Sequence, residues 1–257
     1  MKKLLAFDID DTLNVAKTPM TPEMAGIMAQ LLDFYPVCII SGQKLDQFMR
    51  QIILPMADQL NPNRLANLHL MVTQGTQYYT YQSGKPTETS SWRQVYNYPL
   101  TNEQIAAITQ ALRQAAQELG YWCDHPTGEI IEDRGSQVTF SALGQAAGSV
   151  EKYAWDADHS KRNAIAKRAK ELAPSYDYEV AGTTSINVFV PGMNKVFGMT
   201  KLIELLQIPK TDILYFGDMT QPGGNDYPVV QMGVDTVTVH KWQDTAYALR
   251  GIIALNL

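Results

Sequence analysis

The sequence predicts an α/β protein: a parallel-sheet core interrupted by an inserted α+β domain. Short apolar runs alternate with amphipathic stretches over the first 72 residues, the alternation lapses in the middle, and it returns after residue 190. Such alternation implies right-handed strand–helix–strand crossovers and a parallel sheet. A length of 257 residues suits about two domains, and an apolar fraction of 45% is enough for a sizeable core.

Leu4–Phe7 is the first apolar run, short and uninterrupted as in a buried parallel strand. Thr21-Pro22 marks a helix start, with Thr21 as cap and proline at the first helical position. Met24, Ile27, Met28, Leu31 and Leu32 then recur at three-to-four spacing. Pro36 to Ile40 predicts a second strand closed by Ser41-Gly42, Gln43 to Leu54 a helix, and Leu68–Val72 a third strand. Residues 78–98 are rich in Tyr, Ser, Thr and Gln, and Ser83-Gly84-Lys85-Pro86 reads as a linker. Thr101–Leu119 predicts a capped helix ending before Gly120. Ile130-Ile131 and Val138-Thr139-Phe140 read as an antiparallel pair, His159–Leu172 as a helix and Ser185–Val190 as a strand. The α/β pattern resumes with a helix from near Asn194, strands at Ile213–Phe216 and Thr236–Val239, and a helix at Gln243–Arg250. The expected division is core 1–83, inserted domain 84–189 and core again 190–257.

Several function classes are excluded by composition. The 21 basic residues against 26 acidic ones give a net charge of −5, unlike the basic footprint of a nucleic-acid binder. No apolar run approaches the roughly 18 residues of a membrane span. Met1 to Phe7 resembles the start of a secretion signal, but Asp8, Asp10 and Asp11 end it too early. Cys38 and Cys123 form no disulfide framework and no metal-type spacing, so a reducing, cytoplasmic setting is expected.

Polar groups gather where strands end: Asp8, Asp10 and Thr12; Ser41; Lys195 just before a helix; and Asp218 with Asn225-Asp226. In an open parallel sheet, ligands bind beyond the carboxyl ends of the strands, so these positions converge on one crevice. Each alone is ordinary, since an aspartate after a strand is usually a turn or cap residue. Their conjunction is not. Acids packed this closely repel one another unless a cation holds them, and hard oxygen donors suit Mg²⁺. Asp8, Asp10, Asp218 and Asp226 are the candidate metal ligands. An ionised aspartate can attack phosphorus, and a second one two residues on can protonate the leaving oxygen. A serine hydroxyl and a lysine can hold and neutralise phosphoryl oxygens. The partner is therefore expected to be a small phosphorylated substrate.

The order DxDxT (Asp8, Asp10, Thr12), Ser41, Lys195 and Gly217-Asp218 followed by Asn225-Asp226 resembles the haloacid dehalogenase superfamily of phosphatases and phosphotransferases. The resemblance implies a Rossmann-like core with a large α+β cap, Asp8 as nucleophile and Asp10 as acid/base. It also implies Mg²⁺ on Asp8, the Asp10 carbonyl and Asp218. A narrower similarity runs along nearly the whole chain. Residues 216–226 are similar to the GD…PGGND stretch of eukaryotic-type phosphomannomutases, Gly128–Gly144 to their SPIG-type cap segment, Ser185–Phe189 to their SFDVF strand and Pro191–Lys195 to their GWDK. By that resemblance Arg134 matches a cap arginine that holds the substrate's distal phosphate. Lys152 and Lys17 stand where other arginines would, and Gln145 replaces a third. The same resemblance implies Ser185 as the sugar-binding serine, whereas Asn187, Asp11 and Asn194 stand where the family has an aspartate, a glycine and an aspartate. The eukaryotic mutases pair through their caps, so a homodimer through the cap is expected on resemblance alone.

Arginine is not freely exchanged for lysine or glutamine where phosphate is held bidentately. The main reading is therefore a Mg²⁺-dependent phosphatase of a small phosphorylated metabolite, a sugar phosphate by resemblance. The alternative is a phosphohexomutase of the phosphomannomutase type, which returns the phosphoryl group to sugar. A signal-receiver module also gathers aspartates, a lysine and Mg²⁺ at strand ends, but it needs about half this length and has no cap.

Overall fold

In the computed structural model, which describes residues 2–257, every residue of the first three parallel strands is buried. The chain begins with β1 (Leu4–Phe7), α1 (Pro22–Leu31) and β2 (Val37–Ile40). An irregular helical stretch follows, made of α2 (Leu45–Phe48), a π turn at Met49–Ile53 and α3 (Leu54–Met56). Then come α4 (Pro62–Ala66), β3 (Leu68–Val72), β4 (Gln77–Tyr81) and β5 (Trp92–Asn97). The middle of the chain carries α5 (Asn102–Glu118), β6 (Ile131–Asp133), β7 (Val138–Ser141), α6 (Ser149–Trp155), α7 (Ser160–Leu172), β8 (Asp177–Ala181) and β9 (Ser185–Phe189). The last part is α8 (Lys195–Leu206), β10 (Ile213–Gly217), α9 (Tyr227–Gln231), β11 (Asp235–Thr238) and α10 (Trp242–Ala254).

Two compact units result. The first takes the chain up to Asn97 with Lys195–Pro222 and Asp226–Leu257; the second is Tyr98–Asn194 with Gly223–Asn225. In the first unit a seven-stranded sheet has the order β11-β10-β1-β2-β3-β4-β5. The strands from β11 to β3 run parallel, and β4 and β5 are antiparallel. Period-two alternation sends Leu5 and Phe7 to the face covered by Met24, Met28 and Leu31 of α1 and Leu249 and Ile253 of α10. Leu4 and Ala6 face Met199 and Leu202 of α8 on the other side. Thr21 caps α1 by accepting the Met24 N–H at 3.2 Å, and Pro22 follows it.

The antiparallel hairpin was not legible as such. Residues 78–98, read as a linker-bearing stretch, form β4 and β5 at the sheet edge and carry the first unit to Asn97 rather than to residue 83. Tyr78 packs on Tyr96, with ring centroids 5.6 Å apart, and Trp92 Nε1 donates to the Pro86 carbonyl at 2.8 Å. Aromatic residues favour the pleated, half-buried surface of an edge hairpin despite its polar composition. Gly84 turns the hairpin at φ +100, where a Cβ would lie 2.7 Å from Ser91 Oγ.

The second unit is a four-stranded antiparallel sheet of order β6-β7-β9-β8. Val138, Phe140, Ile186 and Val188 point to one face, where Ile108, Leu112 and Ala115 of α5 and Ile165 and Ala169 of α7 cover them. Thr139 and Ser141, in register with Asn187 and Ser185, alternate to the opposite face and leave it polar. Buried Arg162 joins α7 to Asp156 at 2.7 Å and to the Gly182 carbonyl in the β8–β9 turn. Two elements here escaped the sequence reading, α6 and β8. The first is only seven residues long, and the second mixes Asp177 and Glu179 into a half-buried edge. Among the described residues no helix is long and apolar enough to cross a membrane.

Candidate active site

At the carboxyl end of β1, the Asp8 N–H still donates to the Phe216 carbonyl at 3.0 Å, and the chain then leaves the sheet. It turns tightly: the N–H groups of Thr12 and Leu13 both donate to the Ile9 carbonyl, at 3.2 and 2.8 Å. Asp11 sits in the left-handed region at φ +58, the conformation that explains why a glycine is expected there by resemblance. Its carboxylate accepts the Ala16 N–H at 3.2 Å, a local bond that steadies the turn.

Lys195, the first residue of α8, is fully buried. Its ammonium donates to Asp8 Oδ1 and to Asp226 Oδ1, both at 2.6 Å, and to the Tyr215 hydroxyl at 3.2 Å. Asp226 Oδ1 also accepts from Tyr215, and its Oδ2 accepts the Met219 N–H at 3.0 Å. Asp8, Asp218 and Asp226 each offer an oxygen, all within 4.8 Å of one another. Residues 8, 195, 218 and 226, far apart in sequence, thus meet at the ends of β1 and β10, as the strand-end pattern predicts.

Electrostatics follow from the count of charges. Burial raises the Asp8 carboxyl first and foremost, and the charges of Asp226 and Asp10 add to it; Lys195 opposes them, and the group ends near 7. Asp218 rises to about 9 because it is partly buried and faces Asp8 and Asp226, against Lys195 alone. Burial works against the Lys195 charge, but Asp226 and Asp8 outweigh it and push that ammonium above its ordinary range. Three carboxylates around one ammonium are short of positive charge. A divalent cation on hard oxygens corrects this shortage, so the donor set fits Mg²⁺.

Asp10 has a different environment. Its Oδ1 accepts the Lys17 N–H at 2.9 Å and the Gln43 side-chain amide at 3.0 Å, and its Oδ2 lies 2.8 Å from the Lys17 ammonium. Burial alone would raise this carboxyl, but Lys17 and Gln43 together hold it below the ordinary range. Lys17, expected at the substrate, is here the partner of Asp10. Gln43 is held in turn by Gln51 Oε1 at 3.2 Å, which also accepts from Asn14 at 3.0 Å. Gln51 is delivered by the π turn after α2, a distortion often found near functional sites. Sequence reading missed Gln43, Gln51 and Tyr215. Ser41 follows β2, is buried, and is fixed through its backbone to Met71 and Gln74.

The remaining candidates belong to the second unit. Arg134 is buried and paired with Glu132 at 2.8 Å, and the Lys152 ammonium donates to the Gln145 carbonyl at 2.7 Å. Asn187 Oδ1 accepts from Gln137 Nε2 at 2.9 Å and from the Thr139 hydroxyl at 3.0 Å. Ser185 opens β9 opposite Ser141.

The family model of eukaryotic phosphomannomutase matches residues 37–255. The chain belongs to the eukaryotic phosphomannomutase family. A probable phosphomannomutase of Caenorhabditis elegans is 25% identical over 239 residues, covering 89% of this chain and 86% of that one. Phosphomannomutase 1 of Dictyostelium discoideum is 26% identical over 232 residues, covering 87% and 84%. Among solved structures, an N-terminally truncated Plasmodium falciparum IMP-nucleotidase superposes with a TM-score of 0.70 at 16% identity, covering 98% of this chain and 70% of that one. A haloacid dehalogenase-like hydrolase from Bacteroides thetaiotaomicron gives a TM-score of 0.61 at 14% identity, covering 98% and 100%. These two likenesses bear on the fold alone. The protein is thus phosphomannomutase-like by family, on a fold shared with a haloacid dehalogenase-like hydrolase. That membership matches the mutase alternative better than the phosphatase reading that the cap substitutions suggest.

Proposed function

We propose that this protein moves a phosphoryl group between positions of a phosphorylated sugar through an aspartyl-phosphate on Asp8. The observation that carries this reading is the Asp8–Lys195–Asp226 arrangement, with Asp218 beside it, in a member of the phosphomannomutase family. Asp8 Oδ attacks phosphorus, and the bond to the sugar oxygen breaks. Asp10 gives that oxygen a proton and later takes one from the hydroxyl that attacks the aspartyl-phosphate. Lys195 neutralises charge on the transferring group, and the Ser41 hydroxyl binds one of its oxygens. Asp8, Asp218, Asp226 and the Asp10 carbonyl would hold Mg²⁺, which supplies the positive charge that keeps Asp8 ionised and offsets the phosphoryl oxygens. Asp10 bonded to Lys17 is an ionised carboxylate, the form that accepts a proton. To act as an acid it must first loosen its hold on Lys17.

Arg134, Lys152, Ser185 and Asn187 are the cap residues proposed to receive the sugar and its distal phosphate. The test is mannose 1-phosphate with Mg²⁺ and a hexose bisphosphate activator, scoring mannose 6-phosphate and free phosphate separately. Isomerisation above background that vanishes in Asp8→Asn supports the mutase. Hydrolysis is the second reading, supported by Lys152, Gln145 and Asn187, which stand where a mutase that binds its substrate both ways has arginines and an aspartate. Ready phosphate release with no isomer formed would select it.

A further inference from the structure

Tyr215 lies in the run Ile213-Leu214-Tyr215-Phe216, which reads as plain core. Alternation along β10 separates it from its neighbour. Phe216 stacks on Phe7 at 4.9 Å on one face, and Tyr215 turns to the other and is fully buried. A buried phenol needs a partner for its hydroxyl, and this one has two: it accepts from Lys195 at 3.2 Å and donates to Asp226 Oδ1. The Lys195 ammonium, with three protons, then has three partners in Asp8, Asp226 and Tyr215. The backbone is shaped around this pair. A Cβ at Gly217 would lie 2.6 Å from the Asp226 carboxyl carbon and 2.9 Å from the Tyr215 ring.

The chemistry of the group matters as much as its place. A second ammonium here would orient Asp226 equally well but would cancel negative charge that a divalent cation needs. A neutral hydroxyl orients without cancelling. Hydrogen bonds to charged groups in a dry pocket are the strong ones, so this single donor can set the direction in which both Asp226 and Lys195 are held.

We propose that Tyr215 is a positioning residue for phosphoryl transfer: its hydroxyl fixes the Asp226 carboxylate and the Lys195 ammonium so that Lys195 faces Asp8 and the group Asp8 receives. This rests on the reading of Asp8 as the phosphoryl acceptor. The test uses beryllofluoride, which mimics a phosphorylated aspartate, titrated calorimetrically into the full chain with Mg²⁺, with Asp8→Asn as control. Tyr215→Phe keeps the shape and removes only the hydroxyl. The expected result is beryllofluoride binding weakened roughly 10-fold, and kcat on p-nitrophenyl phosphate lowered about as much with KM within about twofold. A folded Tyr215→Phe that binds beryllofluoride and turns over like the parent overturns the assignment. So does a lower melting temperature with both functional readouts unchanged. If Asp8→Asn binds beryllofluoride like the parent, the acceptor reading itself falls, and the role of Tyr215 with it. Should Tyr215→Phe fail to fold, 3-fluorotyrosine at 215 retains the hydroxyl. Its fluorine resonance must then move when beryllofluoride binds, and a resonance that stays still overturns the proposal.

Discussion

Asp8 and Asp10 stand two residues apart on one loop, each against a lysine, and the two pairs behave in opposite ways. Burial raises Asp8, Asp226 adds to the rise, and fully buried Lys195, which divides its charge between the two, offsets only part of it, so Asp8 is pushed up to about 7. Lys17 keeps a 31% exposed side chain, serves Asp10 together with the Gln43 amide, and Asp10 stays below the ordinary carboxylate range. An ion pair therefore does not fix the state of its acid. The charge count and hydration around the pair decide it. The first pocket is built to take more positive charge, and the second to keep a carboxylate ionised until its lysine moves.

The two pockets differ most in what the loss of Lys195 does. Lys195→Met leaves Asp8 and Asp226 buried with no ammonium, and phosphoryl transfer should fall roughly 1,000-fold or more. Folding at pH 8 without metal should weaken by about 3–5 kcal/mol, read from the urea midpoint. Mg²⁺ should restore part of that loss.

Next in size is the pH dependence of stability. Asp8 and Asp218 have folded-state values raised from 3.8 to about 7 and about 9, so their contribution is present below pH 4 and is lost as pH rises through 7 to 9. Asp10 is depressed, so its contribution is present above 3.8 and is lost as pH falls. Urea midpoints in EDTA should therefore decline from neutral to pH 9, and Asp218→Asn should flatten the decline. His69 gives an independent check on the acid side. Burial lowers it from 6.5 to about 4, and its contribution fades below pH 6.5, amounting to about 3 kcal/mol by pH 4. His69→Gln should remove much of that slope.

Smaller effects sharpen the second pocket. Lys17→Met removes a partly exposed partner, so stability should change by less than ~1 kcal/mol, while the acid limb of the kcat–pH profile moves to higher pH. Gln43→Met removes one neutral donor from Asp10, and kcat should fall by about two- to fivefold at neutral pH.

Legibility in the sequence followed the physics of each element. β1 and β3 were readable to the residue because a parallel strand covered on both faces must be continuously apolar. Thr21-Pro22 set the start of α1 because a cap and a proline act locally. Asp8, Lys195, Asp218 and Asp226 stood out because their order along an alternating chain carries the topology of the sheet. The β4–β5 hairpin did not, since its polar residues face outward at an edge and imitate a linker. Gln43, Gln51 and Tyr215 were silent for another reason. Their roles arise from where a π turn and the register of β10 aim a side chain, and no local pattern encodes that direction.

In the proposed reaction Asp8 carries the phosphoryl group. The direct measurement is to mix the protein with Mg²⁺ and a hexose bisphosphate, quench in acid, and map the modified peptide by mass spectrometry. One phosphoryl group should appear on the peptide bearing Asp8, labile to hydroxylamine as an acyl phosphate is and absent from Asp8→Asn. A phosphoryl group found on another residue, or full turnover by Asp8→Asn, would contradict it.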